Sequence, residues 1–149
     1  MDKRLTGLLI ANGALVLLAG YISGWPFAAV VGAEVSGTVS AIPGTVRAWK
    51  MAHLEGVLNG MLMIAVAAAV TQLTLTARLQ KVIFWGLIVA GWTNVVASNV
   101  SALTGGRGTG PTGFDWNTFD FLVFMAGIVG AFAAAIALAM AGWRMAKAG

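Results

Sequence analysis

His53 is the only histidine among the 149 residues, and it stands at the start of the second long apolar segment. A neutral imidazole is the commonest side-chain ligand for metals, and an ionisable residue in a membrane span usually serves a function. At about 100° per residue, a helical wheel places Gly56 and Gly60 on the same side as His53. A flat ring could bind on this bare surface, or the Gly-x-x-x-Gly spacing could pack two helices closely. The residues leave both interpretations open.

The rest of the chain offers few groups that could join such a site. One histidine and few acids within apolar segments exclude a Ser-His-Asp triad, a multi-histidine metal centre and an electron wire of two haems. The absence of cysteine excludes disulfides, thiolate ligands and covalent haem attachment. His53 is thus the one histidine that such a site could use.

The composition is that of an integral membrane protein. Hydrophobic residues make up 59% of the chain and charged residues 9%, and 20 residues are glycine. The net charge of +4 comes mainly from Lys and Arg beside the ends of apolar segments, which indicates membrane topology rather than nucleic-acid binding. We expect one membrane domain, residues 1–149.

Four apolar segments are long enough to cross a bilayer. They predict an all-α protein, an antiparallel bundle of four transmembrane helices over about residues 5–24, 51–73, 82–103 and 118–140. Trp25-Pro26 is expected to end the first helix. The connection over residues 26–49 is too polar and too rich in glycine for another span, so it is predicted to be a long loop that caps the bundle.

A polar stripe runs along the third predicted helix. Asn94, Ser98 and Ser101 recur at helical spacing in an otherwise apolar segment, so they must face away from lipid. They either line a pocket or make hydrogen bonds between helices.

Residues in the middle of the chain occur in a recognisable order: Ile42-Pro43-Gly44, Trp49, Ala52-His53, Leu58-Asn59-Gly60-Met61, Met63 to Ala67, Gly91-Trp92, Asn94 and Arg107-Gly108. This pattern resembles the styrene oxide isomerase family of small bacterial membrane proteins. The block from His53 to Ala67 is its most specific part.

The resemblance implies four membrane helices, a homotrimer, and haem b bound near the subunit interfaces. It makes His53 the axial ligand of the haem iron and Asn59 an active-site residue, while Ser98 stands where the family has a functional tyrosine. Gly56 and Gly60 would flank the haem, and Arg107 is either a partner for a haem propionate or an exposed loop residue. Asn59 lies about 120° from His53 on the wheel, so it would more easily serve the haem of a neighbouring subunit.

The reaction implied by the resemblance is the isomerisation of a small apolar aryl epoxide to an aldehyde. Ferric haem would polarise the C–O bond as a Lewis acid, and a 1,2-hydride shift would follow without net redox change. Two rival functions remain: a non-catalytic membrane haem-b protein, acting as a sensor or electron carrier, and a small transporter.

Lys and Arg predict the orientation of the chain. Six of them lie on the side of both termini and three on the other side: Lys3, Arg4, Arg78, Lys81, Arg144 and Lys147 against Arg47, Lys50 and Arg107. The excess places both termini in the cytoplasm, with the protein in the bacterial inner membrane. His53 then lies toward the outer side.

Overall fold

A computed structural model describes residues 1–148, and these residues form four long helices. The helices are α1 (Lys3–Val35), α2 (Val46–Ala69), α3 (Ala77–Thr104) and α4 (Trp116–Ala148), with a short 3₁₀ turn, Val70–Gln72, after α2. Each of the four is long and apolar enough to cross a membrane. The chain is therefore a multi-pass membrane protein, as its composition predicts.

The first helix is longer than predicted. Pro26 lies inside α1 instead of ending it, and the helix continues to Val35. Proline removes one backbone hydrogen bond, but the apolar residues after it keep theirs most easily by remaining helical where water is scarce. The break comes instead at Gly37, which has a φ of 66°. The predicted capping loop over residues 26–49 is wrong, because only residues 36–45 connect α1 to α2.

The other helices also begin earlier than predicted, because polar residues cap them. Thr45 accepts a hydrogen bond from the Ala48 N–H at 3.2 Å, so α2 begins at Val46. Thr76 caps α3 in the same way, and Asp115 accepts from the Thr118 N–H at the start of α4. His53 is consequently the eighth residue of α2, about two turns inside the helix.

Glycines bring the helices together in pairs. A Cβ added at Gly20 of α1 would lie 2.5 Å from the Val57 nitrogen of α2, and one at Gly86 of α3 would lie 2.6 Å from the Gly130 oxygen of α4. Such distances leave no room for a side chain. The pairs α1–α2 and α3–α4 therefore pack by close approach of small residues, as membrane helices commonly do.

Candidate functional site

His53 projects from α2 toward α1 and is half-buried there. Its Nδ1 lies 2.9 Å from the carbonyl oxygen of Gly20. A carbonyl oxygen only accepts hydrogen bonds, so Nδ1 carries a proton, and in the neutral imidazole the lone pair is on Nε2. Within the part of the chain that the structure describes, Nε2 has no hydrogen-bond partner. The imidazole is thus held in the tautomer that can ligate a metal through Nε2.

Three residues of α1 shape the place where the imidazole lies. Phe27 stacks on the ring, with the centroids 6.1 Å apart and the planes 18° from parallel. A Cβ added at Gly24 would lie 3.0 Å from Nδ1, and Gly20 supplies the accepting carbonyl. None of the three is predicted as a site residue from sequence. The four-residue spacing of Gly20 and Gly24 is the signal that could have pointed to them.

Gly56 and Gly60 contact α1, and both are buried. A Cβ added at Gly56 would lie 2.5 Å from the Gly20 nitrogen, and one at Gly60 would lie 2.6 Å from the Leu17 nitrogen. Helix α1 therefore occupies the surface on which a flat ring could bind or a helix could pack. Of the two interpretations of this spacing, close helix packing is the one that the contacts within the chain fit.

Asn59 is held by a residue one turn earlier on its own helix. Its Nδ2 donates to the Glu55 carbonyl oxygen at 2.8 Å and to the Glu55 carboxylate oxygen Oε2 at 3.0 Å. Both side chains are half-buried. The partnership with Glu55 is not predicted from the sequence, although the i, i+4 spacing permits it.

The polar stripe of α3 makes contacts within the chain. Ser98 is 0% exposed, and its hydroxyl donates to the Val95 carbonyl of the same helix. Ser101 donates to the carbonyl of Gly106 in the following loop. A Cβ added at Gly127 of α4 would lie 3.0 Å from Asn94 Oδ1. Ser98 thus lies in the interior of the chain.

Two further hydrogen bonds connect α1 to α3. The Trp92 indole N–H donates to Asn12 Oδ1 at 3.0 Å, and the Ser23 hydroxyl donates to Asn99 Oδ1 at 2.9 Å. Polar groups in membrane helices commonly stabilise such packing.

Arg107 is exposed and lines a cavity of about 240 Å³ between the start of α2 and the end of α3. A second arginine, Arg47, also lines it, and no acidic residue does. The loop that carries Arg107 is fixed by Asn117, whose Oδ1 accepts from the N–H groups of Arg107 and Gly108 at 3.0 Å each. The cavity therefore has the charge that suits a carboxylate or another anion.

Asp120 lies beneath the same loop and is 0% exposed. Neither of its carboxylate oxygens has a hydrogen-bond partner among residues 1–148. A Cβ added at Gly106 would lie 2.5 Å from Asp120 Oδ2, so glycine leaves the space that this carboxyl group occupies.

The predicted site residues do not converge on one point within the chain. His53 faces Gly20 and Phe27 on α1, whereas the cavity with Arg107 lies beside α3. Over residues 1–148, no three His, Cys, Asp or Glu side chains come together to hold a metal ion. His53 is therefore the candidate for a single axial ligand. Among the predicted site residues on α2, Asn59 is the one other polar residue, six positions after His53 in the sequence.

A family model described as styrene oxide isomerase matches residues 5–146, nearly the whole chain. No curated protein matches the sequence significantly.

Proposed function

The chain belongs to the styrene oxide isomerase family, and on this premise we propose that it is a membrane-bound isomerase that converts aryl epoxides to aldehydes. The observation that supports the proposal best is the tautomer of His53. The hydrogen bond from Nδ1 to the Gly20 carbonyl orients the ring and leaves Nε2 available to a metal.

The residues around His53 fit haem b. One neutral imidazole with a backbone carbonyl on its far nitrogen is the usual arrangement of an axial histidine. Bound there, haem b would supply a Lewis-acidic iron that polarises the C–O bond of the epoxide. The Gly20 carbonyl would keep the imidazole fixed, and Phe27 would hold the plane of the ring.

The rearrangement conserves every atom and electron of the substrate. The bond between oxygen and the carbon that bears the aryl group breaks, positive charge develops on that carbon, and a hydride from the neighbouring carbon moves to it. The product is an aldehyde, and no oxidant or nicotinamide is consumed. Asn59 would place the epoxide oxygen by donating a hydrogen bond, and apolar side chains such as Phe27 would exclude water.

We propose that the site is shared between the subunits of a homotrimer. His53 and Arg107 lie on different sides of α2, so one subunit does not present both to one ligand. A neighbouring subunit would bring the cavity with Arg47 and Arg107 to the propionates of the haem. The two guanidinium groups that line this cavity suit two carboxylates.

The test is the absorption spectrum of the detergent-purified protein before and after styrene oxide is added. We expect a Soret band that shifts with the epoxide. His53→Ala should lose the band and the turnover together, whereas Asn59→Ala should keep the band and lose turnover. Lys50→Ala, an exposed change on the same helix, is the control and should keep both.

Three outcomes would contradict this proposal. A fully active His53→Ala protein would remove the iron from the mechanism. A protein that shows no Soret band after haem is supplied would do the same. A Soret band without turnover of any epoxide would favour the non-catalytic haem protein.

A further inference from the structure

The amide of Asn59 has no free donor in the structure. Its nitrogen carries two hydrogens, and two acceptors of Glu55 take them: the carbonyl oxygen at 2.8 Å and Oε2 at 3.0 Å. The orientation of the amide follows from chemistry, because a backbone carbonyl only accepts and the nitrogen must face it. An epoxide oxygen is also only an acceptor. The epoxide oxygen can therefore accept a hydrogen bond from Asn59 only if one of the two N–H groups gives up its hydrogen bond to Glu55.

The two bonds differ in how easily they can be exchanged. The Glu55 carbonyl also accepts the α-helical bond from the Asn59 backbone N–H, so it stays satisfied when the side-chain bond is lost. The bond to the carboxylate is charge-assisted, and such bonds are about twice as strong as neutral ones. The Asn59 N–H that is bonded to the Glu55 carbonyl oxygen is consequently the one that can be donated to a ligand instead.

A carboxylate at this depth is costly. Glu55 is half-buried in a helix that is apolar enough to span the membrane, and acids in such helices usually serve a function. If Glu55 only filled space on α2, an apolar side chain would do so at lower cost.

We propose that Glu55 is a positioning residue for Asn59. Its carboxylate holds one N–H of the amide and fixes the amide plane, so that the other N–H is presented to the oxygen of the substrate. This inference rests on the proposed function, in which Asn59 places the epoxide oxygen.

Two variants test the proposal. Glu55→Gln keeps an acceptor oxygen at the same reach, whereas Glu55→Leu has similar size and no acceptor. We expect kcat of Glu55→Leu to fall by at least about tenfold, the effect of one charge-assisted hydrogen bond. Glu55→Gln should retain most of kcat. The Soret band should persist in both, and Glu34→Leu, which changes an exposed acid near the end of α1, should match the wild type.

A readout that does not depend on turnover is the side-chain amide resonance of Asn59. With asparagine labelled by ¹⁵N, the signal is identified by its absence in Asn59→Ala. We expect it to move in Glu55→Leu and to stay near its wild-type position in Glu55→Gln. If Glu55→Leu does not fold, Glu55→Ala takes its place.

The double variant separates positioning from a general structural role. Once Asn59 is alanine, the further change Glu55→Leu should not lower kcat again. The double variant Glu55→Leu/Asn59→Ala should therefore be as slow as Asn59→Ala alone. If the two single-variant losses of kcat multiply in the double variant, the proposal is overturned. A Glu55→Leu protein with wild-type kcat or an unmoved Asn59 resonance would also overturn it. A wild-type protein without turnover would instead overturn the proposed function, and the resonance alone would then decide whether Glu55 anchors Asn59.

Discussion

A single hydrogen bond decides which nitrogen of His53 is available to a ligand. The acceptor is the backbone carbonyl of Gly20, so no side-chain deletion removes it directly. What the sequence controls is the distance between α1 and the imidazole. Gly24 sets that distance, because a Cβ there would lie 3.0 Å from Nδ1.

We expect Gly24→Ala to weaken haem binding. The added methyl group would push the imidazole or α1 aside and lengthen the bond from Nδ1 to Gly20. Loss of such a supporting bond typically costs about 10- to 100-fold in metal affinity. Titration of the haem-free protein with haem, followed at the Soret band, measures the change.

Gly7→Ala is the matched control for this prediction. It lies on the same helix, and a Cβ there would meet nothing within 4 Å. Alanine is the better helix former by roughly 0.5–1 kcal/mol, so this variant should bind haem normally and be as stable as the wild type or more stable. Equal haem affinity in Gly24→Ala and Gly7→Ala would show that the distance from α1 does not matter.

The sequence identifies candidate site residues by their type, but it does not show which other residues surround them in the fold. His53 is singled out by its type alone, since it is the only histidine in the chain. Gly56 and Gly60 leave one face of α2 without side chains, and such a face can contact another helix as well as a flat ring. The wheel gives directions around one helix and cannot say that α1 covers that side.

At the scale of the helices, the apolar spans follow from sequence and their ends do not. Pro26 and Thr45 have the residue types of loops, yet one lies inside α1 and the other caps α2. Proline is tolerated in membrane helices because the alternative exposes more backbone to lipid. Threonine before an apolar run is a start signal as well as a loop residue.

The start of α4 provides a prediction about pH. Hydrogen bonds from the Thr118 backbone N–H, and then from the Thr112 hydroxyl, hold the pKa of Asp115 below its usual value. A carboxylate whose pKa is lowered on folding stabilises the folded state above its unfolded pKa of about 3.9, and this contribution is lost as the pH falls through the lower folded value.

We therefore expect the melting temperature of the wild type to fall more steeply than that of Asp115→Asn as the pH is lowered below about 4. Asparagine can also cap a helix but does not titrate in this range, so it is the matched control. Thermal unfolding in detergent at neutral and acidic pH gives both curves. Parallel curves would mean that Asp115 does not contribute to stability through its charge. Because Asp115 is exposed, the difference should be small.

At the scale of the whole molecule, contacts between distant residues show which ends of the helices lie together. The amino terminus of Met1 donates to the Val70 carbonyl at 3.4 Å, and the Asp2 N–H donates to Gln80 at 2.8 Å. The start of α1 thus lies beside the connection between α2 and α3. These contacts support an alternating course of the four spans, which would put both termini on the side that is richer in Lys and Arg.

The chain contains no cysteine, so single cysteines can test this orientation without a background. Val39, in the connection between α1 and α2, is 97% exposed, and Thr74, between α2 and α3, is also exposed. Cytoplasmic loops carry an excess of Lys and Arg, so we expect a membrane-impermeant maleimide added to intact cells to label Val39→Cys and to leave Thr74→Cys unlabelled until the cells are opened. The reverse pattern would place the end of α2 that carries His53 on the cytoplasmic side. In that case a substrate made in the cytoplasm would reach the imidazole without crossing most of the bilayer, whereas the expected pattern requires an apolar epoxide that partitions into the membrane first.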